Sequence, residues 1–260
     1  RRVEGATCAL ELSGDVTDAA GGAWRIAQII SLFEDPDRFA LRLVATPAAP
    51  ARVLALDGPV LLAGDGAPEG TRRLDAIFPG LEWLVEGEVS SSDLDIAPDH
   101  AHRIRYVPHP HMVTVPVMCA RLAVPGGPDA IVSYAWDLLR PYARELNRPS
   151  AIFASPDRFE GRRATTMGIF APSMPEYIDA NQRVAHTPLE LAAGESIELA
   201  ARVSLLDAGE GDTALAAVRA WFGEHGVPEP NPLPHGEDLR DEVEWGMAAY
   251  LRSLWVPEEE

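Results

Sequence analysis

Four of the seven histidines fall in one short window, at His100, His102, His109 and His111. They make two His-x-His pairs. Side chains two positions apart on a strand share a face, so each pair could converge on one transition metal. A zinc site needs further ligands at characteristic spacings, and none is identifiable in the sequence. Pro108 and Pro110 bracket His109 and interrupt any regular strand there. The expectation is a polar strand and turn with no metal assigned; were one bound, these four histidines would be its candidate ligands. Asp93 and Asp95 follow a run of three serines, and Asp35 and Asp37 stand close together earlier. Their hard oxygens suit calcium, but neither pair has the glycine-centred spacing of a calcium loop, so both read as turn residues.

Acids beside aromatics offer a second kind of chemistry. Phe78-Pro-Gly-Leu-Glu-Trp-Leu84 sets Glu82 next to Trp83 after a Pro-Gly turn. Trp136-Asp137 and Ser155-Pro-Asp-Arg158 repeat the pattern of polar groups at strand ends. Carboxylates hydrogen-bond sugar hydroxyls, while aromatic faces cover the apolar side of a sugar ring. Glu82, Trp83, Trp136, Asp137, Asp157 and Arg158 are therefore the candidate substrate contacts. The plainer reading, also open, makes Trp83 and Trp136 core residues with polar neighbours.

Other chemistries lack their residues. All 22 basic residues are arginine, so Schiff bases and a phosphate-loop lysine are excluded. There is no Gly-x-Ser-x-Gly elbow and no dinucleotide fingerprint leading into a helix. Cys8 and Cys119 both lie in apolar, strand-like contexts; a disulfide between them is a question of geometry. Forty acids give a formal charge of -18, which argues against nucleic acid and anionic membrane as partners. No apolar run approaches the roughly 18 residues that a membrane-spanning helix needs. The sequence assigns no compartment and no cofactor, with calcium the one ion kept in view.

The elements that would position these residues are mostly strands. Ile197, Leu199, Ala201, Val203 and Leu205 alternate with more polar residues, the signature of a half-buried strand. Residues 25–33 and 38–45 read as a hairpin turned by Glu34-Asp-Pro-Asp37. Further candidates are 52–56, 60–62, 82–89, 102–107, 112–122, 130–136, 151–154 and 166–170. Gly and Pro spread between them indicate a β-sandwich or barrel. One internal helix is expected around Leu215, Val218, Trp221 and Phe222, capped by Asp212 and stopped at Gly223 or Gly226. Val227-Pro-Glu-Pro-Asn-Pro-Leu-Pro234 is a stiff extended connector. Beyond it, Leu239, Val243, Met247, Tyr250, Leu251 and Leu254 form the stripe of an amphipathic helix.

Several of these segments together resemble a known family. Pro79-Gly-Leu-Glu-Trp-Leu84 with its serine cluster, Val113-Thr-Val-Pro-Val-Met118, Ala135-Trp-Asp137, Ser155-Pro-Asp-Arg158 and Met167-Gly-Ile-Phe170 resemble the galactose-mutarotase-like β-supersandwich. Such domains stand N-terminal to an (α/α) toroid in glycoside hydrolases and polysaccharide lyases. The resemblance spans roughly residues 25 to 255 as an architectural pattern, and no single motif in it is diagnostic of one reaction.

It implies a mainly β chain: a large antiparallel β-sandwich with a short helix and a C-terminal linker helix. The expected organisation is a sandwich over 1–226, a proline-rich linker over 227–236, and at 237–260 the first helix of a following α-helical domain. The implied function is the N-terminal β-sandwich of a carbohydrate-active enzyme, expected to be a glycoside hydrolase. It would bind glycan or organise the architecture, with catalysis in the missing toroid. The implied partners are carbohydrate and that following domain. Two alternatives stand beside it. One is a self-contained aldose-epimerase-like enzyme, for which His102 or His111 with Glu82 is the best acid–base set. The other is a non-catalytic protein-interaction module.

Overall fold

The computed structural model describes residues 5–65, 71–90, 108, 110–143, 148–158, 160–173, 188–226 and 239–253. In chain order the strands are β1 (Cys8–Thr17), β2 (Ala23–Leu32), β3 (Arg38–Pro47), β4 (Ala51–Val53), β5 (Leu56–Ala63), β6 (Arg72–Phe78) and β7 (Glu82–Val85). A 3-10 turn at Pro110–Met112 precedes β8 (Val117–Ala123), β9 (Ala130–Ala135), β10 (Ser150–Ala154), β11 (Thr165–Ala171), β12 (Leu189–Leu191) and β13 (Ile197–Asp207). Two helices follow, α1 (Leu215–His225) and α2 (Leu239–Ser253).

Eight strands form one antiparallel sheet in the order β1-β2-β3-β13-β9-β8-β6-β7. A three-stranded sheet, β10-β11-β5, and a two-stranded one, β12-β4, face it. One apolar cluster joins the layers: Leu41, Ile197 and Leu199 from the large sheet pack with Met167, Ile169, Phe153, Val53 and Leu191 from the others. The chain is thus mainly β and built as an antiparallel sandwich. Strand β13 shows why: its alternating residues put Ile197, Leu199, Ala201 and Val203 into the core and leave Glu198, Ala200, Arg202 and Ser204 on the outer face. Burying the four inward side chains is worth roughly 1.5–3 kcal/mol for each large one.

Three strands lie outside the candidates read from sequence. β1 is an edge strand whose apolar residues stay exposed, Leu10 at 56% and Leu12 at 55%, so its pattern carries little burial signal. β6 begins on two arginines and contains a buried acid, Asp75. β12 has only three residues. Two expected strands are shorter than their apolar runs. The run from 82 stops at Val85, where Glu86 takes φ 49° and the Glu88 N–H donates to the Val85 carbonyl at 3.0 Å. The run from 112 becomes a strand only at Val117, after the 3-10 turn and Pro116.

The hairpins are closed by their polar residues. In the β2–β3 turn, Asp35 accepts from the Asp37 N–H at 3.0 Å and pairs with Arg38 at 3.1 Å. Between β1 and β2, Asp18 accepts from the Ala20 and Gly22 N–H groups and from the Trp24 indole N–H at 2.8 Å. The Trp24 bond first, and then the Gly22 bond, hold the Asp18 carboxyl below the usual aspartate range. A depressed folded pKa stabilises above the unfolded value, and that contribution is lost as pH falls through the folded one. Acidification through that window is expected to loosen this turn, read as a step in Trp24 fluorescence that Asp18→Asn removes.

Helix α1 is capped differently from expectation. Asp212 accepts from the Gly209 N–H at 2.8 Å rather than serving the first turn. The Ala214 N–H, at the helix entrance, instead donates to Asp75 on β6 at 2.7 Å. At the other end Gly226 takes φ 77° and its N–H donates to the Phe222 carbonyl, the left-handed stop that glycine permits. Contacts divide the chain into two compact units, residues 1–221 and 222–260. In the second, α2 exposes Val243, Met247, Tyr250 and Leu251, each more than half accessible. No helix among the described residues is long and apolar enough to cross a membrane.

Candidate functional site

The site grows from the β6–β7 hairpin. Phe78-Pro79-Gly80-Leu81 is a tight turn in which the Leu81 N–H donates to the Phe78 carbonyl at 3.0 Å. Gly80 takes φ 81°, which a Pro-Gly type II turn requires at its third position, and a side chain there would approach Thr114. Phe78 and Glu82 are direct cross-strand partners and so share the inner face of the sheet. Trp83 pairs with Ile77 and points to the outer face, 49% exposed. Adjacent in sequence, Glu82 and Trp83 therefore serve opposite sides of β7, because strand side chains alternate.

Phe78 ties this hairpin to two other elements. Its ring meets Trp136 edge-on, with centroids 6.0 Å apart, and Phe153 of β10 at 5.8 Å. Trp136 is 6% exposed, and its indole N–H has no hydrogen-bond partner among the described residues. A buried donor without an acceptor costs about 1–3 kcal/mol, so it is a feature that needs an explanation. An open depression of about 280 Å³ lies at the hairpin tip, lined by Ile77, Phe78, Gly80, Leu81, Glu82 and Trp83.

Hydrogen bonds connect Glu82 to the β10–β11 connection. The Ser90 hydroxyl donates to Glu82 Oε1 at 2.9 Å and accepts from the Ser155 N–H at 2.9 Å. The Ser90 N–H in turn donates to the Ser155 carbonyl at 3.0 Å. Two residues on, Asp157 is fully buried and accepts from the Thr166 hydroxyl at 2.6 Å. Its backbone closes the loop by bonds with Ala164 and Arg162, and the Arg162 guanidinium lies 3.9 Å from its carboxylate. Arg73 braces the other side: its guanidinium donates to the Glu86 and Glu88 carbonyls. Burial lowers the Arg73 pKa, with Asp65, Asp75, Glu88 and Glu82 opposing that shift.

The structure thus brings Glu82, Trp136 and Asp157 to one end of the sandwich and gives them different surroundings. Asp137 and Arg158 are exposed there, and Asp137 accepts from the Leu139 N–H as a turn residue. Among the metal candidates, His100, His102 and His109 lie outside the described residues, as do Asp93 and Asp95, and so does the side chain of His111. Among the described residues no group of three or more His, Cys, Asp or Glu could hold an ion. Cys8 is exposed and Cys119 buried, and both are free thiols. Burial pushes the Cys119 thiol far above its ordinary value, which leaves it an inert apolar residue. Ser90, Ser155 and Thr166 were not individually readable as site residues. Ser90 and Ser155 fall in motifs singled out from the sequence, and Thr166 in a strand candidate, but nothing in the order of residues joins them.

No protein-family profile and no curated protein sequence matches the chain. Solved structures do. One is a candidate aldose 1-epimerase from Klebsiella pneumoniae, 15% identical over 88% of this chain, with a TM-score of 0.39. Another is a galactose mutarotase related enzyme from Lactobacillus acidophilus, 8% identical over 76% of this chain and 68% of its own length, with a TM-score of 0.36. A third is a candidate aldose 1-epimerase from Escherichia coli K12, 13% identical over 79% of this chain and 68% of its own, with a TM-score of 0.32. The chain spans 59% of the length of the Klebsiella protein.

Proposed function

We propose that this chain is a carbohydrate-binding β-sandwich of a carbohydrate-active enzyme, contacting sugar at the Glu82 end. The observation that carries the reading is a fixed carboxylate beside aromatic surface in an open depression. Glu82 presents a carboxylate fixed by Ser90 beside the Phe78 ring and the exposed Trp83, while Trp136, buried behind Phe78, backs the wall with an indole N–H that has no acceptor among the described residues. A carboxylate acceptor beside aromatic surface suits a ring that carries hydroxyls on one side and C–H groups on the other. The depression, at about 280 Å³, falls just below the roughly 300–1,000 Å³ usual for ligand sites, which favours recognition of a single ring or chain end.

Calorimetric titration with a panel of neutral monosaccharides and short oligosaccharides tests this. At least one should bind saturably, and Glu82→Gln or Trp83→Ala should weaken it about tenfold or more, the effect of losing a charge-assisted hydrogen bond or an aromatic contact. Leu10→Ala, at the opposite edge of the large sheet, should leave affinity unchanged. A panel without any binding sinks the reading. Interconversion of anomers by this chain alone, followed by polarimetry, would move it to the aldose-epimerase-like alternative.

A further inference from the structure

We infer that Ser90 is the positioning residue of this site, aiming the Glu82 carboxylate by anchoring it to the end of β10. The argument starts from the inventory of one hydroxyl: a single proton to give and two lone pairs to receive. One lone pair takes the Ser155 N–H at 2.9 Å, a donor that cannot reverse its role and accept the hydroxyl proton. Ser90 must then spend its one proton elsewhere, and Glu82 Oε1 lies 2.9 Å away. The direction of that bond is therefore set by the backbone of another sheet, not by a freely rotating hydroxyl.

The Ser90 backbone cannot move away from this arrangement cheaply. Its N–H donates to the Ser155 carbonyl at 3.0 Å, so main chain and side chain of Ser90 both grip the same residue. Ser90 is 2% exposed and Ser155 1%, which keeps water from replacing either bond. Ser155 is itself held by its hydroxyl against Thr165 Oγ1 at 2.6 Å, the first residue of β11. Glu82 stands on the last strand of the eight-stranded sheet and Ser155 at the end of the three-stranded one. The serine thus transmits the position of one layer to the acid of the other. It acts through Glu82 and need touch no ligand.

The role in sugar binding rests on the function proposed above, so the experiment has one arm that needs no sugar. Three-bond couplings of the Glu82 side chain in isotope-labelled protein should report one χ1 rotamer in the wild type. Ser90→Ala should shift those couplings, and Ser90→Thr, which keeps the hydroxyl, should restore the wild-type values. Identical couplings in all three proteins overturn the inference, whether or not any sugar binds. In the second arm, Ser90→Ala should weaken sugar affinity about tenfold alone but add less than about twofold to Glu82→Gln, because coupled residues are non-additive. Full additivity would mean that Ser90 supports the fold without aiming Glu82, and would also overturn it. If the wild type binds no sugar, the functional reading fails while the rotamer arm still decides the role of Ser90.

Discussion

Asp75→Ala is expected to lower the free energy of unfolding by about 3 kcal/mol, the loss typical of breaking one side of a buried charged network. Asp75 is 2% exposed and serves two partners at once. Oδ2 accepts from Arg121 Nε on the neighbouring β8 at 2.7 Å, and Oδ1 accepts from the Ala214 N–H at the entrance to α1 at 2.7 Å. Alanine strands both donors. The guanidinium retains Asp129 at 3.5 Å and is about a quarter exposed, so part of its charge stays compensated. The Ala214 N–H, by contrast, is left buried without an acceptor. Urea unfolding should show a lower midpoint at unchanged slope, since the surface exposed on unfolding is the same. Asp75→Ala with Arg121→Met should recover part of the loss, because an apolar pair avoids the orphaned charge. A loss under about 1 kcal/mol would mean that water or another group replaces the carboxylate.

Asp157→Ala comes second, with an expected loss of about 2–3 kcal/mol, the cost of removing a buried carboxylate from its hydrogen-bond donors. Its side chain is fully buried and takes the Thr166 hydroxyl at 2.6 Å and the Glu160 N–H at 3.3 Å. Asp157 shapes the connection that ends at Thr165 and begins at Ser155, the residue that anchors Ser90. The mutation should therefore lower stability strongly and change sugar affinity only by loosening this anchor. Asp157→Asn, which keeps one acceptor oxygen, should lose about half as much. Affinity falling further than in Glu82→Gln, with little loss of stability, would show instead that Asp157 meets the ligand directly.

Much of the fold was legible because it depends on local pattern. The alternation in β13 and the Asp-Pro turn between β2 and β3 identified their elements to within about two residues at each end. β1 was legible only as the strand-like context of Cys8, since an edge strand with exposed leucines has no burial contrast to mark its bounds. β6 was hidden by Asp75, an acid that a sequence reader assigns to solvent until Arg121 and Ala214 are seen around it. Asp212 is a reasonable cap by spacing, but its carboxylate turned back to Gly209 once Asp75 filled the role.

The candidate site divides in the same way. Residue types alone picked out Glu82, Trp136 and Asp157 as candidates, but not that Asp157 and Trp136 would be buried while Glu82 stays partly accessible. Sequence also determined the broad chemistry: no lysine nucleophile, a strong acidic balance, and a chain built mainly of strands. Which neighbours act together was decided only in three dimensions. Glu82 and Trp83 are one residue apart and face opposite ways; Glu82 and Ser155 are 73 positions apart and share one serine hydroxyl. Pleating sends consecutive side chains to opposite faces, and layer packing joins residues whose separation along the chain carries no signal. The acids and aromatics could be read from the order of residues, but the serine that aims one of them becomes visible only where two sheets meet.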